Sequence, residues 1–108
     1  MANTFTSYMN KNVGTSAATV VTVGAATHTT IIGLDIANTT SSPITADVYV
    51  TRSAVDYYLI KSAVVPVGGS LIVVGADQKV VLITSDALKV VTSAASSADV
   101  VTIVLNIT

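Results

Sequence analysis

The stretch from Ile44 to Thr51 alternates without a break. Ile44, Ala46, Val48 and Val50 fall on one side, and Thr45, Asp47, Tyr49 and Thr51 on the other. A period of two is the signature of a strand with one face buried, because successive Cβ atoms point to opposite sides of a pleated sheet. The pattern returns in 29–38, where Ile32, Leu34 and Ile36 alternate with Gly33, Asp35 and Ala37. It returns again in 99–107, where Val101, Ile103, Leu105 and Ile107 alternate with Val100, Thr102, Val104 and Asn106. Val and Thr, both β-branched and stiff at χ1, dominate the chain and favour strands over helices.

Between these strands lie shorter ones. Residues 17–23, 57–62, 71–74, 79–83 and 88–92 read as strands. They are separated by the turns Gly24-Ala25-Ala26, Gly75-Ala76-Asp77-Gln78 and Thr84-Ser85-Asp86, and by the loops at 39–43, 52–56, 64–70 and 93–98. Strands 44–51 and 57–62 form a hairpin. One of the neighbours Tyr57 and Tyr58 is expected to pack inward, since adjacent strand residues face opposite sides. About eight short strands with no helical pattern predict an all-β fold, a small antiparallel β-sandwich of jelly-roll or immunoglobulin-like topology. Its core is expected from Ile32, Leu34, Ile36, Val48, Val50, Leu71, Val73, Leu82, Leu88, Val90, Val101, Ile103 and Leu105.

The sandwich is assigned to residues 17–108. Residues 1–16 are polar, with irregularly spaced apolar residues, and read as an extended N-terminal arm. Phe5, Tyr8 and Met9 are its candidate assembly contacts, because aromatic residues are favoured interface anchors. Removing the arm is expected to leave the sandwich folded.

The chemistry-bearing residues are few. His28 is the single histidine and reads as solvated, and no Cys is present, so neither disulfides nor thiolate metal sites arise. All six acidic residues are Asp, and Asp56, Asp77, Asp86 and Asp99 fall at turns or strand starts, where a carboxylate accepts backbone N–H bonds. No calcium-loop spacing occurs, and Gly68-Gly69 lacks the Lys-Ser/Thr and the helix of a phosphate loop. The expectation is a non-enzyme without metal or cofactor. Lys11, Arg52, Lys61, Lys79 and Lys89 are dispersed, which argues against nucleic acid as a partner. The first residues lack the apolar core of a signal peptide, and no run is long enough for a membrane helix.

With 51% hydrophobic and only 10% charged residues, against a usual charged fraction of about 25%, the chain has little charge to cover a lone globule. Hidden surface in an assembly is the expected outlet.

The blocks VPVGGSL, GADQKVVL and TSAASSADV, with the opening MANTFTSYMNKNVGTSAATVVTV, resemble small virion structural proteins of tailed phages, those of cyanophages and marine phages especially. The resemblance runs over nearly the whole chain and includes no catalytic motif. It implies a location in the phage particle, foremost as a capsid decoration or cement protein stabilising the head. The alternatives are a neck, tail or baseplate accessory protein, or a surface carbohydrate-binding module. The implied partners are further copies of the chain, with a trimer the first expectation, and the major capsid protein.

Overall fold

A computed structural model describes residues 2–75 and 79–108. Of the expected turn at 75–78, Ala76, Asp77 and Gln78 lie outside the described residues.

The fold is built as one long hairpin doubled on itself. At its tip, strand β4 (Ile44–Arg52) turns into β5 (Val55–Val65) through Ser53 and Ala54. Both turn residues have positive φ, 53° and 63°, the signature of a two-residue turn whose twist matches that of the strands it joins. Outward from the tip, β3 (His28–Asn38) pairs with β6 (Ser70–Val74) and with β7 (Val80–Leu82). Next, β2 (Ala18–Thr22) pairs with β8 (Ala87–Thr92), and β1 (Asn3–Val13) with β9 (Ala98–Ile107). Every pairing is antiparallel. Rolling this hairpin brings β9 against β3 and β8 against β4, which yields two sheets. The first runs β1-β9-β3, with β6 and β7 sharing the far edge of β3, and the second runs β2-β8-β4-β5. Of the two sandwich topologies compatible with the sequence, this nested order is the jelly roll.

The alternating residues of β4 behave as expected: Ile44, Ala46, Val48 and Val50 are buried, and their neighbours are not. Leu34, Ile36, Leu82, Leu88 and Val90 join them in the core. Two strands depart from the expected phase. In β3 a bulge lies between Ile31 and Gly33, so Ile31, rather than Ile32, points inward before the alternation resumes at Leu34. In β9 the buried series is Ala98, Val100, Thr102 and Val104, while Val101, Ile103 and Leu105 face outward. Leu71 and Val73 are only half-buried on the edge strand β6. Tyr57 and Tyr58 are both exposed, because register shifts in the β4–β5 ladder and the end of the sandwich leave neither over the core.

The described part of the expected arm, residues 2–16, is not free. From Asn3 to Asn10 it pairs residue by residue with β9, and Ala2 and Thr108 close the ladder with mutual backbone hydrogen bonds of 3.1 and 3.0 Å. After a bulge, with Asn12 at φ 55°, Val13 enters the core. Its carbonyl accepts the Ser97 N–H at 2.9 Å, beside a buried Thr92–Ser97 hydroxyl pair. The domain boundary expected near residue 16 therefore falls inside the sandwich. The strand escapes notice in the sequence because, as an edge strand, it contributes one core side chain and needs little alternation.

Two outcomes follow. Val104→Ala should lower unfolding free energy by about 2 kcal/mol, whereas Ile103→Ala should change it by less than about 1 kcal/mol; chemical denaturation of both variants checks the phase of β9. Removing residues 1–14 strips β9 of one neighbour and opens the core at Val13, so the truncated chain should lose its cooperative melting transition.

Candidate assembly surface

Side-chain direction in the first sheet follows from its register. Phe5 pairs with Leu105, Ser7 with Ile103 and Met9 with Val101, so all six lie on the outer side, opposite the buried Val100, Thr102 and Val104. On the other flank of β9, Thr30, Gly33 and Asp35 occupy the same levels. Val81 and Ile72 continue these rows to the far edge. The outer face consequently carries several exposed apolar side chains, with Ser7, Thr30 and Asp35 among them. Phe5 is 71% exposed, Met9 74%, Ile72 69%, Val81 58% and Ile103 45%. The outer side of a jelly-roll sheet is ordinarily its solvated side, where polar residues alternate with the core series. Isolated exposed apolar residues are common, but a contiguous group of this kind marks an interaction surface.

Of the three residues singled out in the sequence, the structure brings Phe5 and Met9 together on this face. Tyr8 turns the other way: it pairs with the fully buried Thr102 and, at the edge of the sheet, stays 36% exposed. Ile72, Val81 and Ile103 belong to the surface and were not legible as such. The available signal was the apolar character of β9 in both of its phases.

A shallow groove of about 320 Å³ crosses the middle of the face, lined by Gly33, Asp35, Ile72, Val101 and Ile103. Gly33 creates it by lacking a side chain. A Cβ there would meet only Ile103 and Val74, at 3.9–4.0 Å. Asp35 is the one carboxylate lining it, and its Oδ1 is buried without a hydrogen-bond partner. Beyond Met9 on the same side, Lys11 reaches Asp99 at 3.1 Å, with 76% of its side chain exposed.

The outer face of the second sheet is different in kind. Tyr49 and Tyr58 contact across strands at 5.0 Å with a 39° tilt, and the Lys61 ammonium lies 4.7 Å from the Tyr58 ring centre. Asp47 accepts the Ser62 N–H at 2.6 Å and pairs with Lys61 at 3.6 Å, while Asp56 accepts the Thr51 hydroxyl at 2.7 Å. Polar groups there bond one another. Burial, followed by the negative charge of Asp56, holds the Tyr49 hydroxyl above its usual range.

Asp86, expected as a turn residue, has a larger role. Its carboxylate is buried and takes three hydrogen bonds of 2.6–3.1 Å from Arg52, plus the Ile83 N–H at 2.9 Å. The pair clamps the hairpin tip to the turn before β8. The Arg52 hydrogen bonds come first in holding the Asp86 carboxyl below the ordinary carboxylate range. Among the described residues, no group of three or more His, Cys, Asp or Glu side chains is placed to hold a metal ion. Among the described residues no helix is long and apolar enough to cross a membrane.

No family model matches the sequence, and no curated protein matches it. A solved structure of Bacillus endospore appendages, described as a novel family of disulfide-linked pili, has a similar fold. The TM-score is 0.58 at 14% identity, over 99% of this chain and 87% of that one. The likeness is one of fold. The 108 residues contain no Cys, so the disulfide linkage of that protein has no counterpart in them.

The Asp86 pair gives stability a pH dependence with a definite sign. A carboxyl whose pKa is depressed by folding stabilises the protein above its unfolded value, about 3.9, and that contribution is lost as pH falls through the lower folded value. Arg52→Ala should raise the pH at which acid unfolding begins and lower the melting temperature at neutral pH by several degrees. Melting curves from pH 2 to 7 for both proteins measure this; superimposable acid limbs would count against the clamp.

Proposed function

We propose that this chain is a virion structural protein of the tailed-phage type, acting as a capsid decoration or cement protein on the head. The observation that carries the reading is the apolar outer face of the first sheet. A domain that leaves Phe5, Met9, Ile72, Val81 and Ile103 in water is built to be covered. The low charge of the chain allows close approach of neighbours, and the sequence blocks resembling virion proteins supply the particle. On this reading the chain has no catalytic role, it associates with further copies of itself, and the major capsid protein is its other partner.

A second structural reading places the domain as a subunit of an extracellular appendage or of the neck, tail or baseplate. The jelly-roll likeness to a pilus-forming protein supports it at the level of fold. A carbohydrate-binding role would use Tyr49 and Tyr58, but the carboxylates beside those rings already bond Ser62, Lys61 and Thr51.

Copy number separates these readings. Quantitative mass spectrometry of purified particles should find the chain in hundreds of copies, and particles lacking it should release their DNA at lower temperature. Copies in sixes or twelves would move it to the neck or tail, and absence from particles would remove the virion reading.

A further inference from the structure

We propose that the outer face of the first sheet pairs with the same face of a second copy, about a two-fold axis running along β9. The inference rests on the structural-protein reading and specifies where self-association takes place. Three observations carry it.

The first is complementarity of shape. Strands β1 and β3 flank β9 on opposite sides, each about 4.8 Å away. An axis along β9 therefore lays β1 of each copy over β3 of the other. Phe5 and Met9 project from β1, two residues to either side of Ser7, which is level with Gly33. They straddle the partner's Gly33 groove, with Ile103 of both copies meeting on the axis.

The second is charge. Asp35 and Met9 both pair with Val101 and so share one level of the sheet. Lys11 lies two residues beyond Met9 on the same side; its largely exposed side chain already holds Asp99 at 3.1 Å, and its ammonium can be shared between Asp99 and the partner's Asp35. The pairing thus brings a cation to the half-exposed side of the Asp35 carboxylate, whose other oxygen, Oδ1, is buried without a partner within the chain. Symmetry makes the contact twice.

The third is area. Three strand spacings by five residue levels, widened by the side chains, come to about 20 Å by 22 Å, a footprint on the order of 450 Å² per copy. Because corrugated accessible surface exceeds its flat projection, two footprints reach the roughly 1,000 Å² that a specific interface needs. A flat, self-complementary face closes as a pair, whereas a ring of three joins two different surfaces of each copy. The geometry thus favours a dimer over the trimer expected from the sequence.

Sedimentation velocity over a concentration series tests the pairing, with melting curves confirming that each variant is folded. The wild-type chain should be a concentration-dependent dimer, and Ile103→Lys a folded monomer. Gly33→Val, whose Cβ would meet the chain only at 3.9–4.0 Å, should weaken association about tenfold or more. Asp35→Lys should weaken it similarly, and Asp35→Lys combined with Lys11→Asp should recover most of the loss. A monomer at every concentration overturns the proposal, as does a double variant no tighter than Asp35→Lys alone. Particle binding by a strictly monomeric protein would overturn the pairing and leave the virion reading intact. A dimer absent from particles would do the reverse.

Discussion

Strand β9 is paired along both edges, with β1 on one side and β3 on the other, and it is apolar on both faces. One face supplies Val100 and Val104 to the core, and the other presents Val101, Ile103 and Leu105 to the outside. The rest of the molecule depends on this double pairing. Without it β1 has no neighbour and the rolled hairpin does not close into a sandwich. The outer face proposed to pair is the reverse side of the strand that closes the fold, so one strand serves both the core and the outer surface.

The second sheet is held by other means. Its tip turn uses two non-glycine residues at positive φ, a conformation costing roughly 1–2 kcal/mol per residue. The Arg52–Asp86 clamp holds that tip against the turn leading into β8. Its outer face is finished with a Tyr–Tyr contact, a Lys over a ring and carboxylates bonded within the face. One sheet therefore ends in a surface whose polar groups are engaged, and the other in a surface that is apolar with one unsatisfied carboxylate oxygen. This asymmetry gives the domain a direction: it has a side that can face water and a side that is better covered.

Local pattern and physical outcome agree where one strand face is clearly polar. The β4 alternation could be read residue by residue, and the all-β class, the β4–β5 hairpin and most strand positions followed from β-branched runs between turn residues. The core assignment failed where that contrast is missing. In β9 both phases are apolar, so period alone cannot say which one points inward, and the phase expected inside is the one that faces out. In β3 one bulge between Ile31 and Gly33 shifted the phase, and a bulge has no composition of its own here. Of the candidate contacts, Phe5 and Met9 lie on the proposed surface, while strand parity puts Tyr8 on the other side of the sheet.

By itself the sequence determined that the chain folds as short antiparallel strands and has residues enough for a packed core. Both are set by local stereochemistry and by the number of apolar side chains. It also determined that an apolar excess must be accommodated somewhere, since so few charges are available. Tertiary structure alone decided the jelly-roll order, the capture of residues 3–13 as an edge strand, the joining of Arg52 to Asp86 and the side of the sandwich that carries the excess. Each of these depends on which strands become neighbours. Neighbours far apart in sequence are chosen by the closure of the whole sandwich, and no local pattern records that choice.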